Sequence, residues 1–82
     1  MTIKLAILGA GEIAEKHINS LNKISDFKVN YICDIDLFKA NKLARKCSES
    51  VAINNIDVIL NNKEVDIIDI CIPPYLLSLI HI

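Results

Sequence analysis

One turn restricts this chain more than anything else in it. The apolar run Ile3-Lys4-Leu5-Ala6-Ile7-Leu8 passes directly into Gly9-Ala10-Gly11-Glu12-Ile13-Ala14, a GxGxxA pattern placed where a strand would hand over to a helix. A second apolar run follows and ends in Asp34, twenty positions after Ala14. Strand, glycine turn, helix, second strand and acid in this order form the fingerprint of a dinucleotide-binding βαβ unit. Each small residue has a physical task in that unit. Gly9 allows the tight turn, Gly11 lets backbone approach a pyrophosphate, and Ala14 permits close packing of helix on strand. The helix that starts near residue 12 then turns its unpaired N–H groups and the positive end of its dipole toward the phosphates. No lysine follows the glycines, as a phosphate loop for nucleoside triphosphates would require.

Periodicity extends the pattern. Strands are expected over 3–8, 27–33, 51–53 and 67–72, and helices over about 12–24, 37–47 and 56–62. Ile13, Ala14, His17, Ile18, Leu21 and Ile24 form the apolar stripe of the first helix, and Phe38, Ala40, Leu43, Ala44 and Cys47 that of the second. Glu12 and Lys16 are spaced for a weak surface pair. Asp36 is expected to cap the second helix, and Asn54-Asn55 the third. Pro73-Pro74 ends the fourth strand. Right-handed crossovers then give an α/β fold, a partial doubly wound parallel sheet of Rossmann type in the order β-α-β-α-β-α-β, with strand order 3-2-1-4.

Composition narrows the functional classes. The chain has 82 residues, room for one small domain. Its net charge of −1, with basic residues scattered and no aromatic platform, argues against nucleic acid and anionic membrane as partners. No apolar run reaches the length of a membrane span, and no signal peptide is visible. Cys33, Cys47 and Cys71 are odd in number and have no CxxC spacing. They read as reduced thiols in a cytoplasmic protein, with no metal site expected. Asp34 would accept hydrogen bonds from the adenosine ribose and repel a 2′-phosphate, which favours NAD over NADP. His17 reads as a packing or surface residue. Asp69 stands in the middle of an apolar strand, where a charge is costly unless paired, and the sequence offers no account of it.

Three stretches resemble the glucose–fructose oxidoreductase / inositol dehydrogenase (Gfo/Idh/MocA) family of nicotinamide-dependent oxidoreductases. They are Ile7 to His17, with its glycine turn, Ile-Ala and histidine; Cys33-Asp34-Ile35-Asp36 followed by Ala40, Leu43 and Ala44; and the strand and double-proline loop from Val65 through Ile72-Pro73-Pro74 to Leu76. The resemblance implies a cofactor site built from Gly9, Ala10, Gly11, Glu12, Ile13, Ala14, Asp34, Ile72, Pro73 and Pro74. It implies that residues 1–76 are the front part of an N-terminal dinucleotide-binding domain. The parent enzyme would move hydride between NAD(P) and a hydroxyl-bearing carbon of a sugar or cyclitol, as a homo-oligomer. The family's Glu-Lys-Pro segment and its proton-handling acid and histidine have no counterpart in these residues, so no catalytic residue is assigned and the fragment alone is expected to be inactive. Leu77-Ser78-Leu79-Ile80-His81-Ile82 can be back-translated, in frame, into the mosaic end of a transposon library adapter, and residues 77–82 therefore read as a non-native tail. Two other classes share part of the pattern. A non-enzymatic dinucleotide-sensing domain has the glycine turn and acid without the double-proline loop, and a methyltransferase using S-adenosylmethionine also places an acid after its second strand.

Overall fold

The computed structural model describes residues 2–24, 26–47 and 50–72. Four parallel strands alternate with three helices: β1 (Ile3–Leu8), α1 (Glu12–Leu21), β2 (Phe27–Cys33), α2 (Leu37–Ala44), β3 (Val51–Ile53), α3 (Asp57–Leu60) and β4 (Ile67–Ile70). The sheet order is β3-β2-β1-β4, as the crossover rule requires. β1 lies between β2 and β4, paired Leu5 with Val29 and Ile7 with Asp69. Its pairing with β2 shifts between Leu5 and Ala6, where Asn30 is passed over. Beyond that point Leu8 stands opposite Cys33, so the C-terminal ends of the two strands finish level.

The two faces of the sheet are read off β1 by its period of two. Leu5 and Ile7 pack with Val29 and Ile32 under α1 and α2, where Ala14, Ile18, Ala40 and Leu43 complete the larger core. Ala6 and Leu8 face the other way, with Cys33 and Ile59 in a smaller core beside α3. Ala14 is fully buried, which is the close helix–strand contact expected of the small residue in GxGxxA.

The helices are shorter than the sequence pattern suggests. α1 ends at Leu21 rather than near 24, and α2 at Ala44 rather than 47. No glycine is available to extend either end through a left-handed cap, and each closes in a tight turn, Ile24 N–H to Leu21 and Cys47 N–H to Ala44. Three residues expected in the apolar stripes are exposed: Ile13, Ile24 and Phe38, the last at 76 %. Ile13 adjoins buried Ala14, and a helix turns about 100° per residue, so the two point in different directions. Phe38 in the first turn of α2 is two residues from buried Ala40 and five from buried Leu43, which puts it on the opposite side of the helix. The carboxylate of α1 that pairs with a lysine among the described residues is Glu15, with Lys46, across the helices. Asp36 does cap α2, accepting from the N–H groups of Phe38 and Lys39 at 3.1 and 3.4 Å. Before α3, Asn55 Oδ1 accepts from Asp57 N–H at 2.9 Å, so the expected asparagine chemistry is present one residue before the helix's capping position at Ile56.

Candidate functional site

Four strand ends meet at one edge. Gly9 N–H donates to Cys33 O at 2.7 Å, Asp34 N–H to Ile53 O at 3.0 Å and Cys71 N–H to Leu8 O at 2.8 Å. These bonds carry the sheet ladder just beyond the assigned strands and fix the floor of a cleft of about 620 Å³. The cleft lies at the carboxyl ends of the parallel strands, beside β1 where the direction of sheet progression reverses, the place where open α/β sheets hold their ligands.

The glycine turn forms one wall. Gly9 has φ = 104°, a conformation that side chains rarely adopt. A Cβ there would also stand 2.7 Å from Ile72 Cγ2 and 2.9 Å from Cys71 O. The turn and the end of β4 therefore meet backbone to backbone. Gly11 differs: a Cβ would find nothing within 4 Å and would project into open space. Gly9 is thus required by the protein's own packing, whereas Gly11 keeps the space beside the turn free. Gly11 is the N-cap of α1, and among the described residues no side chain caps the helix, so the first N–H groups, which have no intrahelical partner, are not taken up by a cap. Ala10 and Gly11 line the cleft, whereas Glu12 faces a smaller cavity of about 250 Å³ between α1 and α2 that Lys39, Lys42 and Lys46 also line.

Asp34 stands directly against this turn at the cleft mouth. Its Oδ2 accepts from Ala10 N–H at 2.9 Å and its Oδ1 from Asp36 N–H at 2.8 Å. Two backbone donors therefore hold the carboxylate in a fixed orientation and tie the end of β2 to the glycine turn. Each carboxylate oxygen keeps a further acceptor site. Asp36, the other acid of the pair, is occupied in capping α2. Ile35, 91 % exposed, lines the same cleft with Asn54, Asn55 and Ile56. None of these four residues was read as lining a cofactor cleft from the sequence, where Asn54-Asn55 figured only as a helix cap; their signal, an apolar residue between two acids and a polar pair after a short strand, is too common to be read alone. Ile72, beside Gly9, also lines the cleft. Pro73, Pro74 and the segment 77–82 lie outside the described residues.

The structure supplies the partner that Asp69 lacked. His17 Nδ1 and Asp69 Oδ2 are 2.6 Å apart, and Cys71 Sγ lies 3.4 Å from the same ring nitrogen. A carboxylate only accepts, so the ring proton sits on Nδ1 and points to Asp69. Burial, the charge of Asp69 and a hydrogen bond to its carboxylate together push the Cys71 thiol up to about 11. The other two cysteines are also raised, Cys33 by burial and the charge of Asp34, Cys47 by burial against a weaker opposing bond from Ser50. The three thiols are free. Among the described residues no helix is long and apolar enough to cross a membrane.

A strand–turn–helix cradle with an open glycine, an uncapped helix start and an oriented acid at the carboxyl edge of a 3-2-1-4 sheet defines a Rossmann-type dinucleotide-binding domain. The chain belongs to the GFO_IDH_MocA family, described as an oxidoreductase family with an NAD-binding Rossmann fold, whose model matches residues 3–81. An inositol 2-dehydrogenase of Arthrobacter sp. (strain FB24) is 33 % identical over 76 residues, covering 92 % of this chain and 23 % of that protein. A myo-inositol dehydrogenase of Corynebacterium glutamicum superimposes with a TM-score of 0.81 at 26 % identity, over 89 % of this chain and 22 % of that one. A 3-ketoreductase from Actinomadura kijaniata, solved with TDP-benzene and NADP, shares the fold with a TM-score of 0.84 at 16 % identity, over 98 % of this chain and 26 % of that one. The 82 residues thus span about a quarter of the length of the relatives they match.

Proposed function

We propose that this chain is the front part of the cofactor domain of an enzyme that transfers hydride between NAD and a hydroxyl-bearing carbon of a cyclitol or sugar. The observation that carries the reading is the pairing of Gly11 with Asp34. One leaves room for a pyrophosphate at an uncapped helix start, and the other is held by two backbone amides with acceptor sites to spare. The nicotinamide cofactor supplies the hydride acceptor or donor. The chain's own residues bind and orient it: the N–H groups at the start of α1 receive the pyrophosphate, Asp34 receives the adenosine ribose hydroxyls, and exposed Ile35 offers an apolar surface to the adenine. Ala10, Glu12, Ile13, Ala14, Ile72, Pro73 and Pro74 complete the proposed cofactor set, Ala14 by packing rather than by contact. The inositol dehydrogenases among the relatives support a polyol substrate. No residue described here is given a role in the chemical step.

NAD is favoured over NADP because the Asp34 carboxylate lies where a 2′-phosphate would add a second negative charge. The test is a comparison of both cofactors in the full-length parent before and after Asp34→Ser combined with Ile35→Arg. The expected result is loss of the discrimination against NADP, with a gain of roughly tenfold in NADP preference for each 1.4 kcal/mol of repulsion removed. An unchanged ratio would mean that another residue reads the ribose. A sensing domain without chemistry would bind NAD in the same way, and the parent's turnover with polyols separates the two.

A further inference from the structure

The cluster formed by His17, Asp69 and Cys71 is not used by the dinucleotide reading and was not foreseen as a unit. We propose that these three side chains form a binding site for a thiophilic divalent cation of the zinc class. An imidazole nitrogen, a carboxylate oxygen and a sulfur lie within 4.8 Å of one another. Zinc bonds to such atoms are about 2.0–2.3 Å long, so the ligand atoms of a tetrahedral site are roughly 3.3–3.6 Å apart. The His17 Nδ1 to Cys71 Sγ distance of 3.4 Å already has that value. The Nδ1 to Asp69 Oδ2 distance of 2.6 Å needs to open by about 1 Å or less, through rotation of a carboxylate that is 24 % exposed.

The scaffold explains why the atoms converge. Asp69 and Cys71 are two residues apart at the end of β4 and so project from the same face. That face is the one covered by α1, because Asp69 is in register with Ile7 and Cys71 packs against the core to which Ile7 belongs. His17 reaches the same place from the second turn of α1. All three ligands stand on or beside regular elements rather than on long loops, the arrangement that fixes a site geometrically. Charge also balances: a carboxylate and a thiolate cancel a divalent cation, and the imidazole stays neutral. A neutral complex suits a half-buried position better than the lone carboxylate does. The His17 side chain is 44 % exposed, so the cation has a path in and a water has room for the fourth position. The cation takes the place of the Nδ1 proton, which the neutral imidazole carries on Nε2 instead, and displaces the proton of the Cys71 thiol to solvent.

The purified 82-residue chain, stripped of metal and kept reduced, is titrated with Co²⁺. One equivalent is expected to bind with a thiolate-to-cobalt charge-transfer band and tetrahedral ligand-field bands, and Zn²⁺ is expected to displace it. Asp69→Asn and Cys71→Ser preserve shape, and each should weaken binding by about 100-fold or more, the upper end of what loss of even an outer-shell partner costs. Cys47→Ser, which changes the other partly exposed thiol, should leave the titration unchanged. A chain without the charge-transfer band, or a band that survives Cys71→Ser, overturns the proposal and leaves the cluster as a hydrogen-bonded tie between α1 and β4. X-ray absorption of the unmutated, zinc-loaded chain gives the same decision if a variant does not fold. One sulfur at about 2.3 Å with nitrogen or oxygen neighbours at about 2.0–2.2 Å supports the site, and no sulfur or two sulfurs contradicts it.

Discussion

Two carboxylates mark this fold, and the structure treats them differently. Asp34 is held by the backbone: both of its described donors are main-chain N–H groups, from the glycine turn and from the start of α2. Asp69 is held by a side chain, His17 from a helix 52 positions away, and Cys71, two positions on, contacts the same ring nitrogen. A backbone-held acid inherits its orientation from the fold, so it is as reproducible as the strand ends themselves. A side-chain-held acid depends on which residues happen to be present at three separate positions. The first arrangement is suited to presenting an acceptor to a ligand common to a whole fold. The second rests on side chains alone, and its removal should leave the fold intact.

The largest effect that tests this contrast comes from the turn that the Asp34 corner depends on. Gly9→Ala should cost at least about 2–3 kcal/mol, since it combines a positive φ with a Cβ pressed against Ile72 and the Cys71 carbonyl. In so small a domain that is a large share of the total stability. Loss of the cooperative urea transition is the readout, and a variant as stable as the parent would show that the turn is not the rigid element described here.

A smaller effect sharpens the other side. Asp69→Val removes the carboxylate and leaves His17 free to turn to water, so stability should stay within about 1 kcal/mol of the parent or rise. His17→Ala instead leaves Asp69 short of a partner in an apolar strand and should cost about 1–3 kcal/mol. Urea midpoints of the two variants should therefore differ in that order. Equal losses would mean that the pair is an essential tie and not a replaceable one.

The smallest expected effect is one of pH. Burial raises the thiols of Cys33 and Cys47, so the folded chain holds their protons where the unfolded chain has released them. The unfolded state then binds fewer protons, and stability falls as pH rises. The contribution is complete below the ordinary thiol range and is lost as pH climbs through the raised folded values. Urea midpoints should decline on the alkaline side, and the decline should become shallower in the Cys33→Ala/Cys47→Ala variant, with the remainder carried by Cys71, whose thiol is pushed up to about 11. A profile that keeps its slope in that variant would assign the decline to other groups.

The sheet order, the four strands and the corner around Asp34 were legible because each rests on a local signal: period-two runs, a glycine turn, an acid at the end of a strand. The helix ends were read too far because Ile24 and Cys47 continue the apolar spacing by one more step, and spacing does not reveal where a helix lacks a cap. Phe38 was misplaced for a related reason: an aromatic residue in the first turn of α2 has the composition of a core residue and the azimuth of a surface one. The His17–Asp69–Cys71 cluster left only half a trace. A charged residue inside an apolar strand signals an unseen partner, but naming it requires knowing that β4 lies beside β1 under α1 and that Cys71 shares the face of Asp69. The strand order supplied the first of these facts, and only the three-dimensional register of Ile7 with Asp69 supplied the rest.

The central claim is that the Gly11–Asp34 cleft is a dinucleotide site whose glycine is kept for a ligand and not for folding. It is tested most directly by titrating NAD into the chain and into its Gly11→Val variant, with ligand-observed NMR to follow binding and circular dichroism to follow the fold. A Cβ at Gly11 meets nothing among the described residues, so the variant should keep its helix and strand signals and its urea midpoint within about 1 kcal/mol. Weak, saturable NAD binding is expected of the unmutated 82-residue chain and none of the folded variant. NAD binding that is unchanged in the variant, or a variant that loses its fold, would contradict the claim.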